Sequence, residues 1–142
     1  MCAYSIFITS YISFAVKEII SVTIPRSVTE IGERAFSGCT GLTKVTGLNN
    51  VEVIQNWAFS SCGLETIHIP DSVTVVGASV FQNCNSLHIA TINSKVIGSS
   101  MFRDCVNLTR AGFSVDKVTK IGYEAFKNTG LSSVTIPDSV TE

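Results

Sequence analysis

The 142-residue chain is poor in charge, in proline and in long apolar runs, and these shortages exclude whole classes of protein. Its 10 basic and 11 acidic residues give a formal net charge of −1, which removes the positive surface expected of a nucleic-acid-binding protein. No stretch reaches the roughly 18 consecutive apolar residues that indicate a transmembrane helix. Hydrophobic residues still make up 45% of the chain, enough for the continuous core of one domain.

The chain also lacks the local clusters from which many chemical sites are built. Its 10 glycines are spread along the sequence, whereas a phosphate-binding loop needs them close together. Its 5 cysteines contain no C-x₂₋₄-C pair, the usual spacing of zinc ligands. We therefore predict no cofactor, no metal site and no catalytic residue.

What the chain has instead is a repeat of 21 to 24 residues. Its most regular member is a phenylalanine, found at Phe36, Phe59, Phe81, Phe102 and Phe126. Three residues later comes Cys39, Cys62, Cys84 or Cys105, with Thr129 in the last copy, and a leucine follows shortly after. A period of 20 to 29 residues is the mark of a leucine-rich-repeat solenoid, in which each repeat forms one coil and neighbouring coils share a core.

One well-preserved coil predicts how the others are built. Ile67 and Ile69 alternate with polar residues, which is typical of a strand with one buried face. Pro70 ends this strand because proline has no N–H to donate. A second short extended piece is predicted at 73–76. Gly77 then permits a backbone turn closed to other residues, and the chain curls back as a helical or 3₁₀ turn.

The same frame predicts the remaining strands at residues 22–25, 45–46, 90–92, 111–113 and 134–137. Stacked coils place such strands about 4.8 Å apart in a parallel ladder. The predicted fold is thus a leucine-rich repeat solenoid of the α/β-horseshoe class. It is a β-rich right-handed coil with a parallel strand ladder on one face and short turns or 3₁₀ pieces on the other. We expect looser packing where the sequence shortens the turn at Ser94–Lys95 and weakens the strand at 111–113.

Two regions are predicted. Residues 19–142 form an array of about five coils plus a truncated last coil, and residues 1–18 form a degenerate first repeat or an N-terminal cap. Segment 6–16 is apolar enough for a signal peptide, but it lacks a basic start and a clear cleavage site. Because no capping sequence closes the array, we expect it to have been cut from a longer one. An open end would favour end-to-end pairing of copies.

The four repeated cysteines are predicted to be buried free thiols. Stacked side chains point in parallel, which suits neither tetrahedral metal coordination nor the Cβ separation of about 3.5–4.5 Å that a disulfide needs. Each Cys faces the core whereas His68 faces outward, so neither Cys62 with His68 nor Cys84 with His88 should form a nucleophile and its base. Cys2 lies outside the repeat and is a candidate exposed thiol.

One motif resembles a known family. The pattern hydrophobic-x-Ile-Pro-Asp-Ser-Val-Thr-x-Ile-Gly-x-x-Ala-Phe-x-x-Cys-x-x-Leu is carried by residues 24–39 and returns at 136–141. It closely resembles the BspA-type leucine-rich repeat over about residues 19–142, with Gln55 in place of Gly and Thr129 in place of Cys as departures. The resemblance implies a surface or secreted protein of anaerobic bacteria or parasitic protists. It also implies adhesion to host extracellular matrix proteins or to other cells, without catalysis.

The exposed side of the strand ladder is the candidate binding site. One outward column reads Ser21, Lys44, Thr66, Ile89, Arg110, Ser133, and its neighbour reads Thr23, Thr46, His68, Thr91, Gly112, Thr135. Neither column contains a carboxylate, so the face is rich in hydroxyls and mildly basic. We predict ligand contacts at Lys44, Thr46, Thr66, His68, Ile89, Thr91 and Arg110. The alternative is that the threonines serve β propensity alone.

The protein is therefore predicted to be a non-enzymatic binding and adhesion module that is located at the cell surface or secreted. Its partner is an acidic or extended protein or surface polymer. The alternative is a structural spacer or an end-to-end assembly unit of a longer array. Trp57 is either an exposed contact anchor or part of the packing on the convex side. An enzyme would require a metal or an activated cysteine.

Overall fold

The computed structural model of the protein describes residues 19–114 and 116–142. In chain order its strands are β1 (Ser21–Thr23), β2 (Glu30–Ile31), β3 (Lys44–Thr46), β4 (Val53–Ile54), β5 (Thr66–Ile69), β6 (Val75–Val76), β7 (Ile89–Ile92), β8 (Val96–Ile97), β9 (Arg110–Phe113) and β10 (Lys120–Ile121). A 3₁₀ helix covers Leu48–Asn50. Segment 1–18, predicted to be a degenerate repeat or a cap, lies outside the described residues together with Cys2.

The strands stack in two parallel ladders, which we call the first and second sides of the solenoid. On the first side β1 pairs with β3, and β5, β7 and β9 form a three-stranded sheet. On the second side β2, β4 and β6 form one sheet and β8 pairs with β10. Each of the first five described coils contributes one strand to each side, which confirms the predicted leucine-rich-repeat solenoid. Within the described ranges, no helix is long and apolar enough to cross a membrane.

The core is a stack of equivalent side chains. The rings of neighbouring repeats lie 5.1 to 5.6 Å apart at interplanar angles of 5° to 9°, from Phe36 through Phe59, Phe81 and Phe102 to Phe126. Beside them run buried columns of Leu and Ile. Full burial of one such side chain contributes about 1.5–3 kcal/mol relative to exposure. Since one coil cannot cover its own Phe, this burial is available only through stacking.

The turns on the convex side differ from the predicted helical or 3₁₀ turn. Each coil instead contains two residues with positive φ, the first two positions before its Phe and the second two positions after it. The first set is Arg34, Trp57, Ser79, Ser100 and Glu124, and the second is Gly38, Ser61, Asn83, Asp104 and Asn128. Left-handed residues interrupt a helix after a single turn, because only a run of right-handed residues continues it. The convex side is therefore a column of turns.

The repeated glycine also has a different role from the one predicted. No positive φ occurs at Gly77 or Gly98. A Cβ on Gly98 would overlap the carbonyl oxygen of Gly77, and a Cβ on Gly77 would lie 2.5 Å from the backbone nitrogen of Asn56. These glycines are therefore needed because adjacent coils approach closely at this point, not because the chain turns there.

The first ladder is interrupted between β3 and β5. Gly47 follows β3 with φ 84° and occupies the place that Ile69 holds after His68. A Cβ at Gly47 would overlap the carbonyl oxygen of Ile24, so the backbone here lies against the preceding coil. Leu48, buried in the 3₁₀ helix, supplies the apolar side chain that Gly47 lacks.

The later strands agree only in part with the prediction. The strand predicted at 111–113 forms as β9, and its inward residues are only partly buried, whereas those of β5 and β7 are buried. The strand predicted at 134–137 does not form. Without that pairing, Val134 and Ile136 remain 39% and 45% exposed.

The rest of that last coil is attached to the second side of the solenoid. The Thr141 N–H donates to the Thr119 carbonyl at 3.0 Å, and the Ile121 N–H donates to the Glu142 carbonyl at 3.0 Å. The chain is thus held after residue 137 but does not pair with β9 before it.

Candidate functional site: the exposed strand face

The outward side chains of β1, β3, β5, β7 and β9 form one exposed surface, which we call the strand face. Strand residues alternate between core and solvent, and β5 shows this directly, with Ile67 and Ile69 buried and Thr66 and His68 exposed. The register extends the pattern along the ladder, because Thr66 pairs with Ile89. The two outward columns predicted from the sequence therefore exist from β5 to β9.

Five of the predicted site residues lie together on the β5–β7–β9 sheet. They are Thr66, His68, Ile89, Thr91 and Arg110, and all are exposed. Lys44 and Thr46 are exposed on the separate β1–β3 pair. A single hydrogen bond joins the two sheets here, from the Glu65 N–H to the Thr43 carbonyl at 3.2 Å.

The strand face carries positive charge at two levels of the stack. Lys44 and Arg110 project from it, and no Asp or Glu occurs in either outward column. The hydroxyl oxygens of Thr23 and Thr46 lie 3.1 Å apart, so part of the threonine column is linked along the solenoid. The surface suits a partner that offers negative charge and hydrogen-bonding groups along an extended path.

A groove of about 580 Å³ opens on this face beside β9. Its floor includes Ile89, Thr91 and Arg110, and its far wall is formed by residues of segment 133–137. Gly112 leaves the groove open, because a Cβ there would have no atom within 4 Å. The sequence does not predict this groove, since residues 134–137 have the pattern of the next strand of the ladder.

The repeated cysteines form a buried ladder that joins successive coils. Cys39, Cys62, Cys84 and Cys105 are free and buried, as predicted. Each of the last three donates its thiol proton to the Phe carbonyl of the preceding coil, for example Cys62 Sγ to Phe36 O at 3.0 Å. In the last copy Thr129 instead donates to the Phe126 carbonyl of its own coil at 3.0 Å.

This environment keeps the thiols protonated. Burial raises the pKa of Cys62 and of Cys105 to about 12. The thiolate is the nucleophilic form of cysteine, so such thiols are unreactive at neutral pH. His68 and His88 are exposed on the surface, away from these buried thiols. Over residues 19–114 and 116–142, no group of three or more His, Cys, Asp or Glu is arranged to hold a metal ion.

Trp57 belongs to the convex turns and is only partly exposed. The Arg34 guanidinium lies over its ring, 4.7 Å from the centroid, in a cation–π contact between adjacent coils. Both residues have positive φ and occupy the same place in adjacent coils, two residues before the Phe. Trp57 thus packs against a neighbour within the convex turns, outside the strand face.

Comparison with solved structures finds bacterial solenoids. A leucine-rich repeat protein from Eubacterium ventriosum is 24% identical, with a TM-score of 0.70 over 85% of this chain and 40% of that chain. The pneumococcal vaccine antigen PcpA is 27% identical, with a TM-score of 0.63 over 78% of this chain and 28% of that one. A leucine-rich cell surface protein from Faecalibacterium prausnitzii is 22% identical, with a TM-score of 0.50 over 88% of this chain and 49% of that one. The chain spans less than half the length of each.

Comparison with curated protein sequences finds no match. The family comparison is more informative, because the model of the BspA type leucine-rich repeat region matches six copies, over residues 8–116 and 91–142. These matches include the stacked Phe, Leu and Cys columns described above. The chain therefore belongs to the BspA-type leucine-rich repeat family.

Proposed function

We propose that the chain is a non-enzymatic protein-binding module that holds an acidic, extended partner on its strand face. The observation that carries the proposal is the register of β5, β7 and β9, which aligns hydroxyl groups with Arg110 on a surface whose columns contain no carboxylate. Opposite charge on a partner would speed association and favour one orientation. Repeat solenoids commonly bind along an extended surface of this kind.

We extend this proposal to an adhesive role for a protein that is located at the cell surface or secreted. It is supported by the family, whose members are generally interaction or surface proteins, and by a solved neighbour described as a cell surface protein. The partner we propose is a protein or surface polymer, including host extracellular matrix. We further propose that residues 1–18 form a degenerate first repeat or cap ahead of the array at 19–142, since the family match begins at residue 8.

The binding proposal is tested with a triple variant of the strand face, Lys44→Ala, His68→Ala and Arg110→Ala. The probe is an array of immobilised extracellular matrix proteins and anionic polysaccharides, read by surface plasmon resonance. Loss of two cationic contacts of about 1 kcal/mol each predicts at least a tenfold weaker interaction with whichever probe the native chain binds. All three side chains are exposed, so the thermal midpoint should not change.

The matched control removes two exposed basic residues outside the strand face, Arg26→Ala and Lys95→Ala. This double variant should bind as the native chain does. Equal weakening in both variants would indicate a general charge effect, and unchanged binding in the triple variant would reject the strand face as the site.

A second candidate function is that of a spacer or end-to-end assembly unit. Exposed apolar side chains on the last coil, Val134 and Ile136, favour assembly because their burial would stabilise contact between copies. Light scattering over a concentration series tests assembly, since a constant monomer mass would argue against it.

A further inference from the structure

The outer edge of β9 offers backbone groups that no neighbouring strand uses. Arg110 and Ser114 donate their N–H groups inward, to the His88 carbonyl at 3.2 Å and the Ile92 carbonyl at 3.1 Å. Successive residues of a strand direct these groups to opposite edges, so Ala111 and Phe113 present theirs outward. Among the described residues, no backbone hydrogen bond joins β9 to segment 131–137.

The segment facing this edge has the sequence of a strand but not the pairing of one. Residues 133–137 read Ser-Val-Thr-Ile-Pro, identical to residues 21–25, which contain β1, the strand that pairs with β3. The segment is fixed on either side, because Leu131 and Val140 pack against the core. The space between β9 and this segment is the groove of about 580 Å³.

The groove has the size and chemistry of a peptide site. Its volume falls within the roughly 300–1,000 Å³ of typical ligand pockets. Arg110 is the one charged residue among those that line it, and the rest are apolar, small or hydroxyl-bearing. An exposed sheet edge is the surface to which extended peptides add as a further strand.

We propose that an extended acidic peptide segment of the partner enters this groove and pairs with the open edge of β9. This inference rests on the proposed function and narrows it to one occupant. Backbone groups of the peptide would satisfy the outward groups of Ala111 and Phe113. An acidic side chain of the peptide would pair with Arg110, the charge that the groove supplies. Thr91 and Ile89 would contact every second side chain of the peptide, those that face the groove.

The first experiment uses a fluorescein-labelled synthetic peptide, Glu-Ser-Val-Thr-Ile-Thr-Glu, whose centre is the strand sequence this fold already pairs. Fluorescence polarisation should show saturable binding to the intact chain. A peptide with Lys in place of both Glu residues should bind at least tenfold more weakly, as should the original peptide with an Arg110→Ala variant. Lys95→Ala is the control and should leave binding unchanged. Equal binding of the two peptides would overturn the charge assignment.

Backbone pairing is tested by methylating the peptide nitrogens. Since only alternate N–H groups of an added strand face its neighbour, N-methylation of one alternating set should weaken binding about tenfold or more. The other set should retain binding within about threefold, because its N–H groups point away. Equal effects of the two sets would overturn strand addition.

Amide hydrogen exchange at Ala111 and Phe113 distinguishes the occupants. In the free chain both amides should exchange fast, and saturating peptide should slow them at least tenfold. Slow exchange in dilute free chain would mean that segment 133–137 closes on β9 itself, and protection that grows with protein concentration would mean a second copy. Either result overturns the proposal.

These experiments separate this inference from the proposed function. If the strand-face triple variant loses partner binding while the two methylated peptides behave alike, the inference fails and the proposed function stands. If the peptide adds to β9 but the triple variant binds the partner as strongly as the native chain does, the proposed function fails instead.

Discussion

The Lys117 ammonium lies 2.8 Å from a carboxylate oxygen of Asp71, although a complete coil separates the two residues. Two coil spacings amount to about 9.6 Å, a distance that a lysine side chain can bridge. The coil between them has the shortened turn, in which Ser94 is buried where other coils place a valine. Its hydroxyl donates to the Val96 carbonyl at 3.0 Å. The short turn therefore leaves room for an ion pair between next-nearest coils.

This ion pair predicts the titration of Asp71. A hydrogen bond and charge attraction from Lys117 lower the pKa of that carboxyl below its ordinary 3.8. Lys117→Met should raise the Asp71 pKa back towards that value, measured by NMR pH titration. Lys95→Met, in the intervening turn, is the control and should leave it unchanged.

The sign of the stability effect follows from the lowered pKa. The native pair stabilises the fold above the ordinary carboxyl pKa, and this contribution disappears as pH falls through the lowered one. The urea midpoints of the native chain and Lys117→Met should therefore differ at neutral pH and converge in acid. Because the pair is exposed, salt should shrink the difference. A difference that persists below the lowered pKa would contradict this account.

Close approach of coils predicts opposite outcomes for two glycines. Gly98→Ala should lower the free energy of unfolding by about 1–3 kcal/mol, because its Cβ would overlap the Gly77 carbonyl oxygen. Gly112→Ala should be neutral or stabilising by up to about 1 kcal/mol, because nothing lies within 4 Å of its Cβ. Urea denaturation of both variants measures the contrast. Similar midpoints would show that the backbone moves apart freely.

The architecture was predictable because its cause is periodic. A side chain such as Phe59 recurs at one place in each coil, and only stacking buries it, so the repeat itself indicates a shared core. The register of the strand face followed from the same alignment. The period could not predict where a coil departs from the others because its neighbouring coils differ.

The pentapeptide Ser-Val-Thr-Ile-Pro shows this limit. At 21–25 it contains β1, whereas at 133–137 it is unpaired and forms the wall of the groove. Local propensity is equal in the two copies, so tertiary context decides whether the strand forms. The groove and the proposed peptide site therefore could not be predicted from the sequence.

The positive-φ columns were partly within reach of the sequence. The column after the Phe includes Gly38, Asn83 and Asp104, residue types that adopt this conformation readily. The column before it includes Arg34 and Trp57, which give no such signal. Only the column after the Phe could have been found from composition.

The stacked rings predict a gradient of stability along the solenoid. Phe81→Ala should lower the free energy of unfolding by about 3–5 kcal/mol, because this buried ring stacks on Phe59 and Phe102. Phe126→Ala should cost less, since Phe126 is only partly buried. Urea denaturation followed by circular dichroism provides both values. If Phe126→Ala lowered the free energy of unfolding by as much as Phe81→Ala or more, the burial of each ring would not depend on its flanking coils.

The thiol ladder predicts a loss of stability in alkali. Burial raises the pKa of Cys62 from 9.0 to about 12 in the folded chain, so the unfolded chain loses its proton first. The stabilising contribution is complete below 9.0 and declines as pH rises through the window up to about 12. Urea midpoints measured across this window should fall with pH, and less steeply in a Cys62→Ala variant. Ellman's reagent should react slowly with the repeated cysteines of the native chain and quickly in urea, because only unfolding releases the thiolate. Fast reaction of the native Cys62 thiol, or urea midpoints that are flat across the window, would show that these side chains are not held in the buried, protonated ladder.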